Sequence, residues 1–236
     1  MADDPPELVA HFLSGGDGGG LFGTLQYVGL NFTTAINVSV LNSVAPVLIV
    51  AVGALLFQDR VSLLQLVGIV VSLAGVITIV ARGDFRVLAA LAFNRGDVII
   101  LFNMGVWAVY SASLRNRGAM HWMSFTFVLA VISALVTLPA WAVEHAFGDQ
   151  LQATGLTIGA LAFVGLFPSL VAYASWSRAV ETLGSGRAGV FLHLIPLYSA
   201  LVAGFLLGES IEGFHFAGFA LILTGVALAS QPTARR

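Results

Sequence analysis

Neither cysteine nor lysine occurs in the 236 residues, and charged side chains make up only 9% of them. Without cysteine there is no disulfide, no thiolate nucleophile and no thiolate metal site, although the compartment stays open. All ten basic residues are arginine and the net charge is -2, so the chain has neither a basic face for nucleic acid nor an acidic tail. Nucleic acid is thereby excluded as a partner. Also absent are the metal-ligand clusters and paired carboxylates that membrane-embedded enzymes need for phosphoryl, prenyl or peptide chemistry. There is no HExxH, no paired aspartate motif and no serine/histidine arrangement, and no cofactor is implied. Glu144 and His145 are adjacent, but they follow the end of an apolar run and are expected in a loop at a membrane edge.

What is present in excess is apolar surface. A soluble domain carries roughly 25% charged residues, whereas this chain is 58% hydrophobic with a mean hydropathy of +0.95. A bilayer core of about 30 Å needs about 17 to 25 apolar residues in a helix rising 1.5 Å per residue. Seven runs meet that requirement: Ala35 to Phe57, Val61 to Ala81, Val98 to Leu114, Trp122 to Val143, Leu151 to Ser177, Ala188 to Gly208 and Phe216 to Ala234. An eighth, Leu8 to Thr34, is apolar but contains His11, Asp17 and the run GGDGGG. The expectation is therefore an all-α membrane protein of about eight transmembrane helices, embedded in a lipid bilayer.

The chain also repeats itself at an offset of 150 residues. Pro46 falls on Pro196, Asp59 on Glu209, Val61 on Ile211, Gly68 on Gly218, Leu73 on Leu223 and Gly75 on Gly225, with no gap. Many secondary transporters are built from such duplicated hydrophobic units. The same shift lays Leu8 to Thr34 on the span after Leu151, so that GGDGGG in one copy and GLFPS in the other interrupt the helix at one depth. Unwound backbone is tolerated in a membrane where it faces protein or a water-filled cavity, which points these paired interruptions toward a solute path. Small residues that let helices pack closely are the competing account. Residues 1–86 hold three spans and residues 95–236 hold five. Both numbers are odd, so the two copies are expected in inverted orientations.

Arginine placement sets the expected topology. With both termini in the cytoplasm, Arg60, Arg115, Arg117, Arg178, Arg187, Arg235 and Arg236 lie inside, against Arg82, Arg86 and Arg95 outside. Asp84 and Asp97 near the outer arginines are weak counterweights. The N-terminal MADDPPELVAHF lacks the basic region and uninterrupted apolar core of a signal peptide.

Helical phase nominates cavity-lining residues. Ser39, Asn42, Ser43 and Pro46 share one face at 3.6-residue spacing, with Asn37 pointing elsewhere, and the repeat partners Gly189, His193 and Pro196 share another. Asn103, Trp107 and Tyr110 form one face of the span after Val98, and Tyr173 and Trp176 lie one turn apart in the interrupted span. Flat apolar walls with a few polar tips suit small organic ligands. His193 is ionisable within its span and so is a candidate for substrate or proton handling; the alternative is a neutral ring hydrogen-bonded between helices, to Asn103 or Tyr110. Asp17, beside the glycine run, is a candidate for a cation or a basic substrate. Asp59 and Glu209 are expected to be end caps or loop contacts. No metal site is expected.

Two blocks then carry a resemblance. LQYVGLNFTTAINVSVLNSVAPV, QDR, LLQLVGIVVSLAGV and FNRGDVIILFNMGVWAVYSASLRNR in the first part, and WSRAVETLGSGRAGVFLHLIPLYSAL, GES and GFALILTGV in the second, resemble the EamA-type family of drug/metabolite transporters. The resemblance covers almost everything after about residue 6. It implies ten helices in two inverted five-helix repeats that move small metabolites by alternating access, export being the expected direction, in a bacterial inner (plasma) membrane. Against that pattern the chain begins at the third helix, a truncated 3 + 5 form of the ten-helix fold. An assembly-only fragment and, more remotely, a membrane-embedded enzyme are the rival readings. The substrate is a small molecule that residue types do not name, and pairing with a second copy is left open.

Overall fold

A lipid-embedded backbone has no water with which to pair its amides, so each segment must satisfy itself, and helices do this. The computed structural model describes residues 18–84, 86–89, 93–116, 121–147, 154–207 and 212–231, and its ordered elements are all helical. They are α1 (Gly18–Leu30), α2 (Ala35–Asn42), α3 (Ala45–Phe57), α4 (Leu63–Val80), the single turn α5 (Arg86–Ala89), α6 (Arg95–Ser113), α7 (Trp122–Phe147), α8 (Gly155–Val164), α9 (Ala172–Leu183), α10 (Ser185–Val190), α11 (Ile195–Leu207) and α12 (Gly213–Ala229). Among the described residues six segments are long and apolar enough to cross a membrane, and α12 is an apolar helix of 17 residues. The described parts of the seven runs read from the sequence fall on these segments, the last of them on α12. Of the eighth, α1 is helical, and Asp17 with the residues before it lies outside the described residues. Glu144 and His145, expected in a loop, instead continue α7 to Phe147, because nothing in that turn breaks the helix.

Local sequence sets the helix ends. The side chains of Thr34, Ser62, Asn94 and Thr154 accept backbone N–H groups of the first turns of α2, α4, α6 and α8. Gln58 closes α3 in the left-handed conformation at φ 55, and Asp59 N–H donates to the Gly53 carbonyl at 3.1 Å. Ser62→Ala is expected to lower stability by about 1 kcal/mol, the usual worth of a helix N-cap, read as a lower melting temperature in detergent.

The closest helix pair is α4 with α12. A Cβ built on Gly68 would stand 2.5 Å from the Gly225 carbonyl, and one on Gly75 would stand 2.7 Å from the Gly218 carbonyl. Gly68 therefore meets Gly225 and Gly75 meets Gly218, so the two helices run antiparallel. Small residues supply this contact because apolar helices in lipid gain nothing by hiding from lipid and associate through close packing.

Helix α6 is the most enclosed of the spans and is pinned at both ends. At its start, Asp97 is 2% exposed. One carboxylate oxygen accepts from Thr33 Oγ1 (2.5 Å) and Asn37 Nδ2 (3.1 Å), and the other from Asn94 N–H (2.9 Å). At its far end Arg115 donates through Nη1 and Nη2 to Asp59 (2.6 and 2.5 Å) and through Nη2 to Ser185 Oγ (3.2 Å). Asp59, expected as a loop contact, thus joins the ends of α3, α6 and α10; Glu209 lies outside the described residues.

Candidate functional site

Two prolines shape the middle of the bundle. Proline cannot donate to the carbonyl four residues back and its ring crowds that carbonyl. Ahead of Pro46 the chain turns at Ser43 and Val44 between α2 and α3. Ahead of Pro196 it tightens into a 3-10 turn, Phe191–Leu194, between α10 and α11. The two interruptions face each other: His193 Nε2 donates to the Ser43 carbonyl at 2.9 Å.

Beside this contact lies a cavity of about 590 Å³. Ser39, Asn42 and Ser43 form one wall and His193, Pro196 and Ser199 the facing one, while Phe22, Trp107 and Tyr173 supply flat apolar surface. Val76, Ile79 and Val80 from the end of α4 and His215 from the start of α12 complete the side away from Arg115. The Ser39 and Ser43 hydroxyls donate back to the Ala35 and Val40 carbonyls, leaving their lone pairs as acceptors toward the cavity. The Asn42 Oδ1 atom is buried without a protein partner. A half-polar, half-aromatic space of this size suits a small organic solute.

His193 is 1% exposed and is held on both ring nitrogens. Because Nε2 faces a carbonyl, it carries hydrogen, and Nδ1 stands 2.5 Å from Ser72 Oγ. In the neutral ring the Ser72 hydroxyl donates to Nδ1. In the imidazolium Nδ1–H donates to Ser72 Oγ, whose own hydrogen then goes to the Ile69 carbonyl, 3.0 Å away. The geometry satisfies both protonation states. These partners correct the expectation of Asn103 or Tyr110: Asn103 bonds to Phe22 and Gln26, and the Tyr110 ring packs against Trp107.

Trp107 centres an aromatic cluster, with ring centroids 4.8 Å from Phe22, 5.3 Å from Trp176, 5.4 Å from Tyr110 and 5.8 Å from Tyr173. Of the residues nominated from sequence, Ser39, Asn42, Ser43, Trp107, Tyr173, His193 and Pro196 line the cavity. Pro46 is buried and does not line it. Gly189 packs against Ile49, a Cβ there standing 3.2 Å from Ile49 Cδ1. Tyr110 and Trp176 back the Trp107 ring, and Asn103 donates to the Phe22 carbonyl and to Gln26 Oε1, both at 3.0 Å, fixing α1 against α6. Asp17 lies outside the described residues.

The sequence did not nominate Phe22, Met104, Ser199 or His215. Ser199 had a signal, since it follows Pro196 by three residues and shares its face. The GLFPS interruption does not lie on the cavity. Residues Gly165–Val171 form a π-helical turn in which Ser169 Oγ donates to the Val164 carbonyl at 3.0 Å. The wider turn and that hydroxyl absorb the donor lost at Pro168, so the backbone needs no cavity and the side chains here are exposed.

A bundle of apolar helices with interrupted spans meeting at a solute-sized cavity is the architecture of a multi-pass membrane transporter. The chain belongs to the EamA-like transporter family, whose pattern matches residues 3–81 and 94–231. It is similar to an uncharacterized transporter, YyaM, of Bacillus subtilis, with 24% identity over 89% of this chain and 70% of the relative. It is also similar to a probable terminal-alkyne amino-acid exporter of Streptantibioticus cattleyicolor, with 26% identity over 84% of this chain and 65% of the relative. A solved crystal structure shares the fold, with a TM-score of 0.75 and 20% identity over 96% of this chain and 77% of that one. Both relatives are named as transporters, not as enzymes.

Proposed function

We propose that the protein exports a small organic solute across the inner membrane by alternating access, with residues 1–86 and 95–236 acting as inverted repeats. The observation that carries the reading is the meeting of Ser43 with His193, which are 150 residues apart and are each other's repeat partners. A residue can touch its own partner only at the axis relating two copies. The reciprocal pairs Gly68 with Gly225 and Gly75 with Gly218 support the same antiparallel relation. A two-fold axis across antiparallel spans lies in the membrane plane, the arrangement that lets two halves exchange conformations around one site.

The arginine count supports a topology with Arg60, Arg115 and Arg187 at the cytoplasmic surface and both termini on that side. Ile49 on Gly189 and the Asp59–Arg115–Ser185 contact then close the path toward the cytoplasm, and the cavity belongs to the outward-facing half of the cycle. Proton coupling through His193 fits a ring whose neighbours accommodate either charge state.

The test is solute counterflow in proteoliposomes with the purified chain, across a panel of amino acids, amines, nucleosides and xenobiotics. Saturable exchange of at least one solute is expected, and Ser199→Trp, which fills the cavity, should reduce it at least tenfold. Exchange untouched by that substitution would remove the cavity from the path. His193→Gln should flatten the pH dependence of exchange; unaltered pH dependence would end the coupling reading.

A further inference from the structure

The arginine-rich end holds a second recess, of about 380 Å³, between the end of α3, the start of α4 and the junction of α9 with α10. Its lining includes Asp59, Arg60, Gln65, Arg115, Glu181, Ser185 and Arg187, three arginines against two carboxylates. The charges there do not balance. Arg115 is taken by Asp59, and Glu181 by Arg178 at 2.7 Å. Among the described residues Arg60 and Arg187 have no acidic partner, although Arg187 is half-buried.

The 150-residue offset relates this recess to the cavity at the other end. Val50 and Gln65 line the recess, and their repeat partners Ala200 and His215 line the cavity. On the transport reading the two spaces are corresponding mouths of one path, divided by Ile49 on Gly189 and by Ser43 on His193. The correspondence ends at the charges: the partner of Arg60 is Ser210 and that of Arg187 is Asn37. Among the described residues only one mouth carries guanidinium groups.

We infer that this recess captures the carboxylate of an entering solute, with Arg60 and Arg187 as its charged donors and the Gln65 amide and Ser185 hydroxyl beside them. The inference rests on the transporter reading and adds the charge of the solute. Guanidinium groups pair with carboxylates through two parallel hydrogen bonds, and an anion between two arginines relieves their mutual repulsion. When the path opens, the aromatic cavity beyond the divide receives the apolar body that entered with that carboxylate.

The experiment places the full chain in phosphatidylcholine nanodiscs and titrates N-acetylphenylalanine against its uncharged amide, by calorimetry. The acid should bind at least tenfold more tightly, and the double variant Arg60→Gln/Arg187→Gln should bring the two ligands within about twofold of each other. Folding is checked by elution profile and melting temperature. Arg86→Gln, in an exposed pair with Asp84 at the opposite end, should keep the wild-type preference. If the double variant does not fold, Arg60→Gln alone should weaken acid binding at least threefold, since Arg60 is exposed. Equal binding of acid and amide, or a preference unchanged by the substitutions, overturns the inference. So does stabilisation by phosphatidylglycerol that needs both arginines while the soluble acid does not bind, which would make the occupant a lipid headgroup. A chain that exchanges solutes but shows no acid preference loses this inference and keeps the transport reading. One that prefers the acid but exchanges nothing keeps the capture site and loses the transport reading.

Discussion

Gly225→Val is expected to leave no monodisperse protein after extraction into detergent. A Cβ at Gly225 would lie 2.3 Å from the Ser72 amide nitrogen, 2.5 Å from the Gly68 carbonyl and 2.7 Å from Ser72 Cβ. Two of those three atoms are backbone, so no side chain can rotate away; α4 and α12 must separate. Overpacking usually costs about 1–3 kcal/mol where side chains can adjust, and here the backbone contact itself is lost. Against a total stability of about 5–15 kcal/mol, and with the Ser72 contact to His193 displaced as well, the bundle should not survive. Gly159→Ala is the matched control, because a Cβ there meets nothing within 4 Å. It should elute as wild type and gain about 0.5–1 kcal/mol from helix propensity. Gly225→Val melting within a few degrees of wild type would mean that this seam does not hold the two helices together.

Asp97→Ala is expected to cost about 3–5 kcal/mol. The substitution removes the acceptor for Thr33 Oγ1, Asn37 Nδ2 and Asn94 N–H together, and each buried donor left unpaired costs about 1–3 kcal/mol. The damage extends beyond α6, since Thr33 and Asn37 bracket the start of α2 and hence the wall bearing Ser39 and Asn42. Asp97→Asn retains one carbonyl oxygen, and the Asn37 amide can rotate to offer the other end. Its loss should therefore be smaller, about 1–2 kcal/mol. Thermal unfolding in detergent reads both, and hydrogen exchange should show new opening at the start of α2 in the alanine variant only. An alanine variant as stable as wild type would show that the carboxylate is solvated rather than relied upon.

The positions of the spans were legible because apolar runs of bilayer length have no other stable use, and the stripe of Ser39, Asn42 and Ser43 stood out as polar groups in such a run. The proline pair was legible through the repeat. The partner of His193 was not: Ser72 sits 121 residues away, in a helix whose serine differs little in pattern from a packing residue. Asp97 looked like a loop acid because it precedes the apolar part of its span; only the fold brings Thr33 and Asn37 over it. Phase placed Trp107 and Tyr110 on one face, yet Trp107 meets the cavity and Tyr110 lies behind it. In a membrane the face toward lipid and the face toward other helices are both apolar, so hydropathy alone does not separate wall from backing.

The π-helical turn at Gly165–Val171 has a rotational consequence. A helix that takes an extra residue in one turn shifts the phase of everything after it by about 100°, one residue's worth of α-helical rotation. Upstream, Leu161 and Phe163 point outward; downstream, Tyr173 reaches the cavity and Trp176 the Trp107 ring. Removing one residue from the turn would restore a uniform helix and swing both aromatics out of register with Trp107. Pro168 therefore acts at a distance, as the setting of a dial whose pointer is Tyr173.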